Sequence, residues 1–434
     1  MKMINYLFRQ AWSQLKQQPL LTVVSILGTA LTICLIMVMV MQQQIKVVPF
    51  APESNRDRLL HIKWGSVNSE SFGKKYVSNG PISYKTAKAC FRGLNSAEMV
   101  SFYSMNLSMQ VKLPLAEGKG VDVKQTDASF FQIFDFVFID GKPFMQADSD
   151  AGLPVAVITE SVAKYLFDTA AVSGRELLVN NVPYRIAGVV KDVSSLASTA
   201  YSQVWIPYLS TQMTTGGQFN WMDGHLGYLS VVILAKQKSD FESIRAECDR
   251  RVETHNKSIE NCSLFFRGQP DNQLTMSKHT NATSAPDMQD YFIHQLMIVL
   301  ILLLVPAINL SSMTQSRLRQ RVSEIGVRRS FGATRSEIMG QIVVENLVLT
   351  LIAAFIGLVF CFIFATLWGN LLFTESSMTY LNTAPAIEWQ MLFNASTFIY
   401  ALLFSLQLNL LSSGFPAWKA SKIAIVNALT GKTH

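Results

Sequence analysis

Four long apolar segments divide the sequence, and each is long enough to cross a membrane as a helix, which requires about 20 residues. The first, Leu20–Met41, contains no charged residue. It is too long for the apolar core of a signal peptide, which is usually about 7–15 residues. The predicted segments are a cytoplasmic amphipathic N-terminal helix at 1–19, transmembrane helices at 20–42, 291–314, 339–372 and 393–413, an extracytoplasmic domain at 43–290, a cytoplasmic loop at 315–338, an external loop at 373–392 and a cytoplasmic tail at 414–434.

The long segment at 43–290 alternates between short β-branched or aromatic runs and helical patterns, which predicts a mixed α/β domain. Helices are predicted at Thr159–Phe167 and Ser239–His255, and Asn180-Asn181 predicts a hairpin turn. The apolar positions of the second helix recur on one face at Phe241, Ile244, Cys248 and Val252. The predicted strands are Leu59–Trp64, Val121–Lys124, Pro154–Ile158, Tyr184–Val190, Val204–Pro207, Leu229–Leu234 and Ser263–Arg267.

The composition agrees with a membrane protein that carries one large soluble part. Hydrophobic residues make up 49% of the 434 positions and charged residues only 15%, whereas a soluble chain has about a quarter charged. The predicted fold class is therefore an α-helical membrane protein with four transmembrane helices plus a large mixed α/β extracytoplasmic domain.

The positions of the basic residues predict which side of the membrane each segment occupies. The N-terminal segment, the loop at 315–338 and the tail together hold twelve Lys and Arg against two Glu, although the net charge of the whole chain is only +7. Basic residues accumulate in short cytoplasmic loops. Both termini and the loop are therefore predicted to be cytoplasmic and the large domain external. The same placement argues against a nucleic-acid partner and favours contact with anionic membrane lipids.

Cysteine and histidine spacing points to no catalytic or metal site. The five cysteines include no CxxC pair, which excludes a disulfide scaffold, a zinc ribbon and an iron–sulfur site. Cys90, Cys248 and Cys262 lie in the predicted external domain, where a Cys248–Cys262 bridge is one option that the sequence leaves open. The histidines have no metal-ligand spacing, and no catalytic Ser/His/Asp constellation can be argued.

The cytoplasmic loop has the most informative pattern in the chain. Its first part predicts a short amphipathic helix with an i,i+4 pair between Glu324 and Arg328. Gly332 is a helix stop, and Thr334 and Glu337 form a capping-box pattern before the third apolar segment. A stiff basic helix in this place indicates either a docking element or an interfacial helix bound to anionic lipid. Both alternatives remain open from spacing alone.

Several motifs resemble MacB/FtsX-like ABC-transporter permeases. The loop sequence EIGVRRSFGATRSEI at Glu324–Ile338 resembles the cytoplasmic motif of that family, and Glu345 in the next span matches a common family acid. The tail from Gly414 resembles the family's GxxPAxxAA ending, except that Ile425 stands where proline is usual. In the external domain the similar stretches are VAVITESVAKYLFD, IAGVVKDV and VWIP, in the same order as in the MacB periplasmic core.

This resemblance implies a four-helix mechanotransmission permease, located in the inner (cytoplasmic) membrane, with a MacB-type core domain made of porter-like and smaller strand-rich subdomains. The family's coupling helix, which docks on an ABC ATPase dimer, maps onto about Arg321–Phe331. The implied ATPase-coupling residues are Glu324, Ile325, Val327, Arg328, Arg329, Phe331 and Gly332, with Thr334 and Glu337 as the helix cap.

The ATPase itself is expected on a separate polypeptide. A phosphate-binding loop needs GxxxxGK[ST], but the GKT at Gly431–Thr433 is preceded by Val426 where the first glycine should be. We therefore expect this chain to have no enzymatic activity and to bind no cofactor, with ATP and Mg on the partner ATPase.

Three functions fit these observations. One is efflux or extraction of a substrate from the periplasm or membrane, with a periplasmic adaptor and an outer-membrane factor as further partners. The second is FtsX-like signalling that controls an extracellular cell-wall hydrolase, and the third is a membrane-anchored enzyme or receptor. A second permease copy or a paralogue completes the assembly, with Gly28 and Ala30 as the expected dimer contact because small residues allow close helix approach. The sequence identifies neither the substrate nor the choice between copy and paralogue.

Overall fold

A computed structural model of the protein describes residues 19–71, 74–211, 222, 224–320 and 322–373, and a few positions between 399 and 418. The described residues form two compact units, one holding 19–43 and 288–372 and the other holding 44–287. The predicted N-terminal helix, external loop, fourth transmembrane helix and tail lie wholly or mostly outside the described residues.

Helices and strands are numbered in chain order. The described helices are α1 (Pro19–Val47), α2 (Tyr84–Phe91), α3 (Phe130–Ile133), α4 (Gln146–Asp150), α5 (Glu160–Phe167), α6 (Phe241–Asn256), α7 (Gln273–Lys278), α8 (Met288–Gln320), α9 (Val322–Ser330) and α10 (Arg335–Phe373). The described strands are β1 (Leu59–Ile62), β2 (Gly65–Ser71), β3 (Lys74–Gly80), β4 (Met99–Ser104), β5 (Leu107–Lys112), β6 (Lys119–Thr126), β7 (Phe138–Gly141), β8 (Val155–Thr159), β9 (Glu176–Val179), β10 (Val182–Val190), β11 (Val204–Pro207), β12 (Leu229–Leu234), β13 (Cys262–Phe265) and β14 (Asp271–Asn272).

The unit at 44–287 is a mixed α/β domain built on an 11-stranded sheet. The strand order is β11-β8-β10-β9-β5-β6-β4-β12-β1-β14, with β7 added to β10, and β13-β2-β3 form a separate three-stranded sheet. Strand β11 pairs both with β8 and, in parallel, with β6. Six strands, β6, β5, β9, β10, β8 and β11, therefore form a closed ring of pairings. The predicted division into two subdomains stays a prediction, since β4 continues the same sheet.

Strand β11 is buried on both faces, because its residues alternate between two apolar clusters. Val204 and Ile206 pack into the cluster inside the ring of strands. Trp205, between them, packs into a second cluster that is rich in phenylalanine. An uninterrupted apolar run such as Val204–Pro207 is what a strand covered on both sides requires. A third cluster gathers α2, α6 and the neighbouring strands around Phe91 and Ile244.

The structure confirms the predicted strands and helices of this domain to within a few residues. Helix α6 buries Phe241, Ile244 and Cys248, as the predicted apolar face requires. At the β9–β10 turn, Asn180 and Asn181 have φ angles of 47° and 67°, which is the conformation of a two-residue hairpin. The open question of a disulfide is answered: Cys248 and Cys262 do not form a bridge, and all five cysteines, each of them among the described residues, are thiols.

The unit at 19–43 and 288–372 is helical. Two described segments are long and apolar enough to cross a membrane, Thr22–Val47 and Arg335–Ala365, and a shorter apolar stretch begins α8 at Met288–Leu302. Helix α10 contacts α8 through Asn346, whose amide donates to Thr314 at 3.4 Å. These observations agree with the predicted spans at 20–42 and 339–372, while the spans at 291–314 and 393–413 and the count of four stay predictions.

Helix α10 approaches α1 closely at a glycine. A Cβ atom built on Gly357 would lie 2.6 Å from the carbonyl oxygen of Ala30 and 3.2 Å from Cβ of Ile33. Only glycine fits at that spacing, and small residues are what allow membrane helices to approach in this way. Ala30 is fully buried by the contact within one chain, whereas Gly28 is half-buried. The dimer role expected for this pair stays a prediction.

Candidate functional site

The loop between α8 and α10 folds as the short helix α9, a tight stop and a capped restart. Helix α9 is described over Val322–Ser330, within the predicted coupling helix Arg321–Phe331, and it ends one residue before Phe331. Arg321 lies outside the described residues. The structure places the remaining predicted coupling residues within this loop.

Gly332 ends α9 in a Schellman motif. The N–H of Gly332 donates to the carbonyl of Arg329 at 3.2 Å, and the N–H of Ala333 donates to the carbonyl of Arg328 at 3.0 Å. This geometry needs a left-handed residue, and Gly332 has a φ of 98°. The motif ends the helix at this point, so that Phe331 lies immediately after the last residue of α9.

Thr334 and Glu337 start α10 with reciprocal hydrogen bonds. The N–H of Glu337 donates to the hydroxyl of Thr334 at 3.3 Å, and the N–H of Thr334 donates to the carboxylate of Glu337 at 2.8 Å. Two N–H groups that the first helical turn would leave unpaired are thereby satisfied. Hydrogen bonds therefore fix the connection between α9 and α10 both where α9 ends and where α10 begins.

Ile325 is placed differently from its expected role as a docking residue. Its side chain is buried in a small cluster with Leu318 of α8 and with Ile338 and Ile342 of α10. It therefore holds the loop against the two long helices. Helical periodicity identifies the apolar face of α9 but not the residues that pack against it. The sequence signal for those residues is the spacing of Ile338 and Ile342, which places two apolar side chains on one face of α10.

Arg328 also belongs to the framework of the loop. Its guanidinium donates to Glu324 at 2.7 Å and to Gln341 of α10 at 2.8 Å. The first contact is the predicted i,i+4 pair. The second was missed by sequence reasoning, because no spacing rule connects α9 to a residue one helix later. Arg329 is half-exposed at the end of the same helix.

The apolar residues that α9 leaves exposed lie at its C-terminal end. Phe331 is 88% exposed and Val327 is 44% exposed. They lie four residues apart, which places them on the same face of a helix. An almost fully exposed phenylalanine on a rigid, capped turn is suited to filling a pocket of another protein.

In the described part of the chain, no group of three or more His, Cys, Asp or Glu could hold a metal ion. The loop exposes Phe331 and Val327 and is held in place by the Glu324–Arg328 ion pair, an arrangement that suits contact with another protein.

Comparison with known families accounts for most of the chain. A model described as the MacB-like periplasmic core domain matches residues 20–251, and a model described as the FtsX-like permease C-terminal matches residues 296–425. The first match alone covers more than half of the sequence. The chain belongs to the MacB/FtsX-like family of ABC-transporter permeases.

Curated relatives of this permease carry consistent names. It is 27% identical over 235 residues to the pyoverdine export ATP-binding/permease protein PvdT of Pseudomonas aeruginosa, covering 54% of this chain and 33% of the relative. It is 27% identical over 292 residues to the uncharacterized ABC transporter permease YknZ of Bacillus subtilis, covering 67% and 64%. It is 24% identical over 302 residues to the macrolide export ATP-binding/permease protein MacB of Escherichia coli O157:H7, covering 69% and 42%.

The aligned chain thus spans between about a third and two thirds of these relatives, since the covered shares are 33%, 64% and 42%. In the MacB/FtsX-like permease the mixed α/β unit at 44–287 is the MacB-like extracytoplasmic domain, and most of α8 together with all of α9 and α10 falls within the FtsX-like region.

Proposed function

We propose that this permease passes the ATP-driven motion of a separate ABC ATPase to its extracytoplasmic domain, for efflux or extraction of a substrate from the periplasm or membrane. ATP and Mg would be bound by the ATPase alone. The family membership supports the class of function, and the export names of PvdT and MacB support efflux. The match to the MacB-like domain favours this function over FtsX-like control of a cell-wall hydrolase.

The observation that carries the proposal is the exposure of Phe331 on a loop whose other residues fix its position. Ile325 and Arg328 attach α9 to the long helices, and the Schellman motif and the cap fix the turn that follows. Movement of a protein bound at Phe331 would therefore be transmitted to α8 and α10. A mobile loop with the same side chain would absorb that movement.

Replacing Phe331 with glutamate should abolish recovery of an ABC ATPase with the tagged, full-length permease. A charge placed in an apolar pocket loses the buried contact and adds a desolvation penalty of several kcal/mol, so a loss of at least about tenfold is expected. Co-purified ATPase is quantified by mass spectrometry and by ATP hydrolysis.

Two control variants separate docking from lipid binding. Phe331→Leu keeps an apolar side chain and should retain most of the ATPase, while Arg329→Glu should weaken recovery less and in a salt-dependent way. If the helix binds lipid instead, ATPase recovery should survive both changes, and Arg329→Glu should be the more damaging change for membrane association. Normal ATPase recovery with membrane-inserted Phe331→Glu would disprove the docking role.

The proposed topology has four spans, both termini in the cytoplasm and the large domain outside. Single cysteines at Lys191 and Glu375 should react with a membrane-impermeant maleimide in intact cells, whereas those at Arg319 and Lys432 should react only after permeabilisation. The background must first be lowered with Cys262→Ser, because the other four native cysteines are buried. External labelling at Arg319 would contradict the topology.

We further propose a two-fold assembly of two permeases with two ATPase subunits, because an ATPase dimer offers two docking positions and symmetric dimers are the commonest oligomers. The second permease is either a copy of this chain or a paralogue. A periplasmic adaptor and an outer-membrane factor would complete an exporter.

A further inference from the structure

The last turn of α1 is built into the extracytoplasmic domain. Residues 44–47 of this helix belong to the same compact unit as the rest of the domain. The final four carbonyl groups of a helix have no partner within the helix and are usually satisfied by water or by a following turn. Here, Arg56 from the segment that follows the helix donates to the carbonyls of Ile45 and Val48, and Gln273 from a distant part of the domain donates to that of Lys46.

Arg56 makes the largest share of these contacts. One terminal nitrogen of its guanidinium donates to the carbonyls of Ile45 at 2.5 Å and Val48 at 3.2 Å. The other donates to the carbonyl of Leu196 at 2.9 Å, and Nε donates to the carboxylate of Glu53 at 2.6 Å. The side chain is only 1% exposed. One rigid planar group therefore joins the helix end to a loop 140 residues away in sequence.

Gln273 at the start of α7 binds the helix end from another element. Its amide nitrogen donates to the carbonyl of Lys46 at 3.1 Å, while its amide oxygen is 3.0 Å from Nε2 of His61 on β1. Burial lowers the pKa of His61 to about 4, so this imidazole is neutral near pH 7. The helix end is thus bound by two buried side chains.

Glu53 links Arg56 to the loop at 194–203. Its second carboxylate oxygen accepts from the N–H groups of Thr199 at 2.9 Å and Ala200 at 2.8 Å, and the ammonium of Lys124 on β6 donates to the carbonyl of Thr199. The loop leads directly into β11. Since β11 pairs with both β6 and β8, a displacement of the loop that moves β11 would also act on these two strands of the ring.

We propose that Arg56 and Glu53 form a coupling joint that transfers movement of α1 to the loop at 194–203 and thereby to β11. They are positioning residues, and the inference rests on the proposed function because it assigns a route to the motion. An apolar contact could slide under load, whereas a buried fork with four fixed acceptors resists both rotation and translation. The sequence separation between Arg56 and Leu196 makes the joint a direct path between two segments that the chain connects only remotely.

The test substitutes Arg56→Lys in the full-length permease bound to its co-purifying ATPase in lipid nanodiscs. Lysine keeps the positive charge beside Glu53, but a single ammonium cannot reach the acceptors that the guanidinium fork spans. Hydrogen–deuterium exchange of residues 194–203 is compared with and without ATP. In the unmodified protein ATP should change this exchange, and Arg56→Lys should reduce the change at least about fivefold, while ATPase recovery and hydrolysis stay within about twofold.

Arg245→Lys is the matched control, because Arg245 likewise bonds a carboxylate and a backbone carbonyl, but those of Glu242 and Pro270. It should respond to ATP like the unmodified protein. If Arg56→Lys fails to fold, Glu53→Gln is judged by the same measurement, because its amide nitrogen cannot accept from both Arg56 and the loop N–H groups as the carboxylate does.

An ATP-dependent change of normal size in the folded variants would overturn the joint, as would the lack of any change in the unmodified protein. Failure of the proposed function is separately visible, because it would appear as unchanged ATPase recovery in Phe331→Glu.

Discussion

Replacing Trp205 with alanine is expected to destabilise the extracytoplasmic domain by about 3–5 kcal/mol, the range for removing a large aromatic side chain from a packed core. The indole is completely buried. It meets the rings of Phe136 and Phe131 edge-on, with centroids 5.2 Å and 6.4 Å away, and its N–H donates to the carbonyl of Ala200 at 3.2 Å. Alanine would leave a cavity and an unpaired carbonyl at the end of the loop at 194–203.

Thermal unfolding of the full-length protein, followed by far-UV circular dichroism, measures the effect of Trp205→Ala. A shift of the domain's transition by roughly 10 °C is expected for a domain of this size. Trp205→Phe should cost less, since it keeps an aromatic ring and loses mainly the hydrogen bond. Tyr165→Ala is the surface control, because this aromatic side chain is 50% exposed. Equal transitions for Trp205→Ala and Tyr165→Ala would show that the packing around Trp205 contributes little.

Replacing Gly357 with leucine should separate α10 from α1 and prevent the permease from folding in the membrane. The first side-chain atom alone would lie 2.6 Å from the Ala30 carbonyl oxygen, and backbone cannot move aside as a flexible side chain can. Inside a bilayer the hydrophobic effect does not drive helices together, so their association depends on close van der Waals packing. Leucine at position 357 would remove that packing between α1 and α10.

Gly340→Leu is a matched control for Gly357→Leu on the same helix, since a Cβ at Gly340 meets nothing within 4 Å. Yield of monodisperse protein in mild detergent, measured by size-exclusion chromatography, should fall severely for Gly357→Leu and remain near normal for Gly340→Leu. Normal yield of both variants would refute the close contact between α1 and α10.

Local patterns in the sequence were sufficient to predict the local structure. Short apolar runs such as Leu229–Leu234 became strands, and Gly332 and Thr334 marked a helix stop and a helix start at the residues where the structure has them. Both kinds of prediction depend on residues only a few positions apart. In such features the interacting residues are neighbours in the sequence, so a short stretch contains all the information that is needed.

Features that depend on distant residues could not be predicted in this way. Nothing in the sequence relates Arg56 to Leu196, because the two are brought together by the path of the whole domain. Likewise, the pattern that put Ile325 on an apolar face could not tell a cluster within the chain from a docking surface. Ala30 raises the same ambiguity, since a small residue fits a neighbouring helix of its own chain as well as that of a partner.

The closed ring of strand pairings has a consequence for crowding at the membrane surface. An open sheet presents unpaired N–H and C=O groups along its edge, and these recruit strands from neighbouring molecules into aggregates. Anchoring two copies side by side raises their effective concentration and would favour such recruitment. In the described ring, β11 occupies the hydrogen-bonding groups of β8 and of β6 together, so these strands have no free edge over the paired residues. Over these paired residues, the ring therefore cannot recruit a strand from a neighbouring molecule.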